Sequence, residues 1–154
     1  MTSTVADLIA GGATSKVFVD TNILVYSTNR SAPLYLTAKS AIDALTTCGA
    51  EQWVSYQILR EYISAMTKLP TIPIAGVLKN VRDYRASFSM AADSPLVHDE
   101  LHILLSQIPC GGKQVHDANI VATMLVHGVP NLLTHNVADF KRFGHLITII
   151  PLVP

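Results

Sequence analysis

Acidic and amide side chains stand at five separated points of the chain from which a fold could bring them together. Asp20 ends a short unbroken apolar run, and Asp117 opens the most apolar stretch of the sequence. Asn136 and Asp139 follow the segment NLLTH, and Glu61 lies on the apolar side of a stretch with helical spacing. The sequence therefore supplies a set of oxygen ligands from distant stretches of polypeptide.

Such a set would carry out metal chemistry if its members converged. Carboxylates drawn into a partly buried cleft repel one another, so they either titrate abnormally or are held by a divalent cation. Oxygen ligands that include only one or two direct carboxylates favour Mg²⁺ or Mn²⁺. A metal ion in that position can lower the pKa of a bound water and neutralise a phosphoryl oxygen. The expected chemistry is hydrolysis of a phosphodiester.

Alternating strands and helices are predicted to position these groups. Short β-prone runs predict strands at Lys16–Asp20, Gln52–Ser55, Ser89–Ala92, Asn131–His135 and Ile147–Ile150. Apolar spacing predicts helices at Pro33–Leu45, Tyr56–Lys68, Ile74–Phe88 and Val115–His127, and a further helix that begins at Pro95 and ends before Gly111–Gly112. A loop is predicted between the first strand and the first of these helices. This alternation predicts an α/β domain with a mostly parallel sheet. Ligands of such sheets bind at the carboxyl ends of the strands, where Asp20 is expected.

Composition limits the class of protein. The chain has 154 residues with 11 basic and 11 acidic side chains, 49% apolar residues and only 14% charged ones, which excludes a disordered chain and an overall basic field for nucleic acid. Cys48 and Cys110 are too few for a disulfide framework, and neither lies in a C-x-x-C arrangement, which argues against a thiolate zinc site. They fit a reducing compartment, although the two could also form one bridge. The sequence shows no secretory signal and no apolar run long enough to cross a bilayer, so we expect a cytoplasmic protein.

Four blocks of sequence together resemble the PIN domain, and more narrowly the VapC-type ribonuclease toxins of toxin–antitoxin pairs. The blocks are DTN at Asp20–Asn22, the Glu61 of QILREYISAM, HDANIVAT at His116–Thr123 and LLTHNVADF at Leu132–Phe140. The resemblance covers residues 16–151 and leaves residues 1–15 as an N-terminal appendage of uncertain order. It implies a three-layer sandwich around a central five-stranded, mostly parallel sheet.

The same resemblance implies an activity and partners. The activity is metal-dependent endoribonuclease cleavage of structured RNA such as transfer RNA, by a homodimer that a small antitoxin silences by placing its tail in the cleft. Asp20 and Asp117 match the principal ligands of Mg²⁺ or Mn²⁺, and Glu61 matches the second acid. Where the family often has a further acid this chain has Asn136, and Asp139 stands three residues later.

Other polar residues are expected to support these acids. Asn22, Thr134 and Asn136 would orient the carboxylates by hydrogen bonds. Basic side chains near the predicted edge are candidates for phosphate contacts with RNA, namely Lys113, Lys141 and Arg142. His116 precedes Asp117 and is either a second group near the site or a polar residue at the entry to a helix.

Alternative readings remain open at this level. Each acid alone could be a turn or capping residue, and a catalytically inactive PIN-like module that binds RNA or a protein would explain Asn136 as a decayed site. A phosphoacceptor receiver domain also uses an acidic α/β edge, but it needs paired acids where Asp20 stands alone. His98 and His102 lie one turn apart, but the Glu of a zincin helix directly follows the first His, so an exposed helix face is expected.

Overall fold

The computed structural model describes residues 3–154. Five strands form its single sheet: β1 Lys16–Val19, β2 Glu51–Ser55, β3 Ser89–Ala91, β4 Asn131–Thr134 and β5 Thr148–Pro151. The helices around it are α1 Val5–Gly11, α2 Thr21–Thr28, α3 Tyr35–Cys48, α4 Tyr56–Thr67, α5 Ile74–Ser87, α6 Pro95–Gln107, α7 Gln114–His127 and α8 Val137–Phe140. None of these described helices is both long and apolar enough to span a bilayer.

The sheet is parallel throughout, with the strand order β3-β2-β1-β4-β5. β1 lies at its centre, where Phe18 pairs with Trp53 on one side and with Leu132 on the other. Val17, Phe18 and Val19 are fully buried because helices cover both faces of the sheet. The predicted α/β fold with a central five-stranded sheet is confirmed, and every strand is parallel.

The strand order places a crevice beside β1. The chain connects β1 to β2 in one direction and later crosses to β4 on the other side, so the order reverses at β1. Connections that leave the carboxyl ends of β1 and β4 therefore diverge and leave a space between them, the usual ligand position in open parallel sheets. Asp20 follows β1 and Asn136 follows β4 at this edge.

Helix α2 differs from the prediction, which placed a loop after the first strand. Asp20 is the N-cap of this helix, and its carboxylate accepts a hydrogen bond from the Thr21 N–H (2.8 Å). Ile23 and Leu24 are fully buried. The helix was not predicted because the β-branched residues of Thr21–Thr28 have weak helix propensity. It forms because its N-cap and the burial of its apolar side chains outweigh that propensity.

The N-terminal segment that the sequence left of uncertain order contains helix α1. Thr4 caps this helix through a reciprocal box: its N–H donates to Asp7 Oδ2 (2.8 Å), and the Asp7 N–H donates to Thr4 Oγ1 (3.3 Å). Leu8 is only 5% exposed and joins the hydrophobic core. The capping box forms the helix, and Leu8 and the partly buried Val5 pack it against the domain.

Candidate active site

Four carboxylates line one open cleft at the carboxyl edge of the sheet. The cleft has a volume of about 320 Å³, and Asp20, Glu61, Asp117 and Asp139 all face it. They come from the end of β1 and from helices α4, α7 and α8 respectively. The structure therefore brings together all the acids that the sequence singled out.

Asp20 is the most deeply buried of these acids, with 5% exposure. Its Oδ2 accepts hydrogen bonds from Thr134 Oγ1 (2.7 Å) and Asn22 Nδ2 (3.0 Å), and its Oδ1 accepts one from the Thr21 N–H (2.8 Å). Burial raises the pKa of the Asp20 carboxyl above its usual value, and these hydrogen bonds to the charged form oppose the rise. The three donors hold the carboxylate in a fixed orientation.

The side chains of Asn22 and Thr134 join β1 to β4 around Asp20. The Oδ1 of Asn22 accepts a hydrogen bond from the His135 N–H (3.0 Å), while its Nδ2 lies 3.4 Å from Thr134 Oγ1. Asn136 contributes through its main chain, because its N–H donates to Thr134 Oγ1 (3.0 Å). The side chain of Asn136 lines the cleft.

Glu61 lies half-buried on α4, with a donor on each carboxylate oxygen. Thr21 Oγ1 donates to its Oε2 (2.8 Å), and Gln57 Nε2 donates to its Oε1 (3.0 Å). Thr21 also forms the first turn of α2 directly after Asp20. One threonine therefore connects the acid after β1 to the acid on α4.

Asp117 stands in the first turn of α7 and is half-buried. Burial is the largest cause that raises the pKa of its carboxyl from 3.8 to about 6. The negative charges of Asp139, Asp20 and Glu61 raise this pKa further, in that order. The guanidinium of Arg142 opposes them. Burial and the charges of neighbouring acids thus both favour the neutral form of Asp117.

The basic candidates differ in their relation to the cleft. Arg142 is half-buried and close enough to Asp117 to influence its pKa. Lys141 and Lys113 are exposed, the first beside Arg142 and the second directly before α7. The charge of Arg142 thus acts on Asp117, while Lys113 and Lys141 are exposed to solvent.

The donor set suits a hard divalent cation, although the acids do not converge on one point. Among residues 3–154, no three His, Cys, Asp or Glu side chains form a ready-made metal centre. Every acid at the cleft supplies oxygen, and Asp117 shows that their negative charges are poorly compensated. A dication relieves that repulsion, so the residues fit Mg²⁺ or Mn²⁺ rather than a thiophilic metal.

The histidines lie outside this arrangement. His98 and His102 are exposed on α6 as expected, with ring centroids 4.4 Å apart. The side chain of His116 is also exposed, while its main-chain carbonyl accepts a hydrogen bond from Gln57 Nε2 (2.9 Å). The contribution of His116 that the structure shows is therefore a carbonyl group.

Sequence reasoning missed several residues of the site. Thr21 lies inside the DTN block, and Gln57 precedes Glu61 by one helical turn, so spacing alone could have suggested both. Tyr26 lines the cleft and makes an edge contact with the ring of His135, with centroids 5.6 Å apart. No sequence signal indicated Tyr26, because it lies on the helix that the sequence hid.

Comparison with known proteins finds a relative of this chain in sequence. No protein-family model matches the chain. Ribonuclease VapC24 of Mycobacterium tuberculosis is 27% identical over 135 residues, which cover 82% of this chain and 90% of the relative. The chain is thus similar in sequence to a VapC ribonuclease over nearly its whole length.

Solved structures share the fold. The crystal structure of VapBC2 from Rickettsia felis, bound to a DNA fragment from its promoter, superposes with a TM-score of 0.66 at 18% identity, covering 86% of this chain and 96% of that one. A toxin–antitoxin complex from Klebsiella pneumoniae gives a TM-score of 0.64 at 20% identity, covering 88% and 97%. The resemblance to the VapC-type PIN toxins is confirmed.

Proposed function

We propose that this relative of the VapC-type PIN toxins is a metal-dependent endoribonuclease and the toxin of a toxin–antitoxin pair. The observation that carries the proposal is the cleft in which Asp20, Glu61, Asp117 and Asp139 meet, with the pKa of Asp117 raised to about 6. Perturbed acids in a cleft indicate a functional site rather than a set of helix caps. The sequence similarity to a VapC ribonuclease supports RNA as the substrate.

Asp20 and Asp117 would hold the Mg²⁺ or Mn²⁺ ion, and Glu61 and Asp139 would hold its waters or a second ion. The ion supplies neutralisation of the phosphoryl oxygens and activation of a water nucleophile. Thr134 and Asn22 keep the Asp20 oxygens in place, so binding costs little reorganisation.

The remaining steps belong to side chains of the cleft. Glu61 or Asp117 accepts a proton from the attacking water as its oxygen bonds to phosphorus in line with the leaving group. The bond from phosphorus to the 3′-oxygen breaks, and the 3′-oxygen takes a proton from solvent. The products are a 5′-phosphate and a 3′-hydroxyl. Arg142 and Lys141 would contact neighbouring phosphates, and Tyr26 offers an aromatic face to a base.

The proposed partners follow from the relatives. The Klebsiella pneumoniae neighbour is a toxin–antitoxin complex, which supports an antitoxin for this chain. Structured RNA such as transfer RNA is the proposed substrate class, and a homodimer is the proposed active assembly. Light scattering of the purified protein tests the dimer, and copurification with the product of a short neighbouring reading frame tests the antitoxin.

RNA cleavage by purified protein tests the activity. We expect cleavage with Mg²⁺ or Mn²⁺ that is lost in Asp20→Asn while that variant stays folded, because Asp20 can then no longer act as an anionic ligand. Asp99→Asn is the matched control, since Asp99 is an exposed acid on α6 outside the acidic cleft. Full activity in Asp20→Asn would remove Asp20 from the ligand set. RNA binding without cleavage would favour the inactive module.

A further inference from the structure

Two amide side chains link the helix that carries Glu61 to the helix that carries Asp117. Gln57 Nε2 donates both to Glu61 Oε1 (3.0 Å) and to the His116 carbonyl (2.9 Å). Gln57 Oε1 in turn accepts a hydrogen bond from Asn119 Nδ2 (2.8 Å). His116 precedes Asp117 on α7 and Asn119 follows it by two residues. Gln57 therefore bonds the main chain on one side of Asp117 and a side chain on the other.

The orientation of the Gln57 amide is fixed by its partners. Its NH₂ group faces two acceptors, and its oxygen faces a donor. A flipped amide would place oxygen against the carboxylate of Glu61 and the carbonyl of His116, and NH₂ against the NH₂ of Asn119. All three contacts would then be repulsive, so Gln57 holds one arrangement.

This link joins elements that otherwise pack elsewhere. Helix α7 packs mainly against α6, while α4 packs against α2 and α5. The bonds of Gln57 to His116 and Asn119 span 59 and 62 residues of sequence. Gln57 therefore ties α4 to α7 next to two of the acids, through its bond to Glu61 and its bond to the residue before Asp117.

We propose that Gln57 and Asn119 are positioning residues that hold the Glu61 carboxylate at a fixed place relative to Asp117 and so set the affinity of the cleft for a divalent cation. This inference rests on the proposed function for the cation and goes beyond it in assigning the two amides. Gln57 acts on Glu61, and Asn119 acts through Gln57.

The contacts around Glu61 explain why the amides matter. Its Oε2 is held by Thr21 and its Oε1 by Gln57, so both oxygens are restrained. Without the Gln57 donor, only the bond from Thr21 to Oε2 restrains the half-buried carboxylate, and the position of Oε1 is no longer fixed. Without the Asn119 donor, the amide of Gln57 loses one of the three partners that disfavour its flipped form.

Mn²⁺ titration by calorimetry tests the coupling. Gln57→Met should raise the Mn²⁺ dissociation constant about tenfold, the usual order for a group that orients a ligand. In a Glu61→Gln background the same change should have no further effect, because Gln57 acts through Glu61. Gln107→Met on the exposed end of α6 is the matched control and should leave the constant unchanged.

A second variant gives an independent check. Asn119→Ala should weaken Mn²⁺ binding in the wild-type background and have no effect once Gln57 is Met. The positioning role would be overturned if the effects of the two substitutions on the Mn²⁺ dissociation constant added in either double variant. It would also be overturned if this constant were unchanged in Gln57→Met. A merely structural role would lower the free energy of unfolding in urea without this pattern of coupling.

Metal-free protein provides a readout that does not depend on the proposed activity. In isotope-labelled protein, Glu61→Gln should shift the side-chain amide signals of Gln57 and Asn119 in the NMR spectrum and leave that of Gln107 in place. Unchanged signals would overturn the amide link itself. If the signals shift but the wild type does not bind Mn²⁺, the amide link stands. The metal-dependent function and the role of the amides in cation affinity are then overturned.

Discussion

Replacing Asp117 by Asn should make the metal-free protein more stable while it destroys the proposed metal site. The pKa of Asp117 is about 6 in the folded chain against an ordinary 3.8. At 1.36 kcal/mol for each pKa unit, ionising this carboxyl at neutral pH costs at most about 3 kcal/mol of folding free energy. Because Asp117 is half-exposed, water screens part of that cost, and we expect about 1–2 kcal/mol.

The pH dependence of this gain has a definite sign. Below about pH 4 the carboxyl is protonated in both the folded and the unfolded chain, so Asp117→Asn and wild type should be equally stable. Between about pH 4 and pH 6 the unfolded chain releases its proton more readily, which destabilises the wild-type fold. The advantage of the variant should therefore grow over this interval and stay constant above it.

Urea unfolding with a chelator present, followed at several pH values, measures the effect. The gain near neutral pH corresponds to about 3–6 °C in melting temperature for a chain of this size. Added Mn²⁺ should reverse the order, because only the wild type gains stability from binding. Asp99→Asn should change neither measurement. A variant that is less stable than wild type at neutral pH, or a gain that persists at about pH 4, would refute the electrostatic account of the cleft.

Three further results are expected. Thr134→Val should lower the free energy of unfolding, measured in urea, by about 1–3 kcal/mol and weaken Mn²⁺ binding, because it removes the buried hydroxyl that donates to Asp20 Oδ2 (2.7 Å). Unchanged Mn²⁺ affinity would contradict this role. Mn²⁺ affinity of the wild type should fall by up to about tenfold per pH unit as the pH drops through about 6, since protons compete for Asp117. Calorimetry at several pH values measures this affinity, and an affinity that does not change with pH would contradict the expectation. Leu8→Ala should destabilise the protein by about 2–4 kcal/mol, whereas an effect near zero would show that α1 does not pack in solution.

The parts of the fold that sequence could predict are those where one local pattern dominates. Val17–Val19 of β1 is an unbroken β-branched and aromatic run, which is typical of a strand buried on both faces. Helix α7 has long apolar spacing and a glycine C-cap at Gly128. Helix α2 could not be predicted in this way, because its β-branched residues have weak helix propensity and its N-cap and buried side chains stabilise the helix.

The candidate site divides in the same way. The acids could be located from sequence because Asp20 and Asp139 follow apolar segments, Asp117 opens one, and Glu61 lies on the apolar side of a stretch with helical spacing. The bonds from Thr21 to Glu61 and from Asn119 to Gln57 could not, because they join residues 40 and 62 positions apart. Hydrogen-bond pairing over such distances depends on side-chain geometry, which spacing does not record.

The central position of β1 has a consequence for the newly made protein on the ribosome. Asp20 is synthesised long before its partner Thr134 and the neighbouring strand β4, which come more than a hundred residues later in the chain. At a translation rate of about 5–20 residues per second, the first acid waits about 6–24 s for Asp139 to be made. Fragments that lack β4 leave Asp20 without Thr134, so the acidic cleft is complete only after Asp139 has been translated.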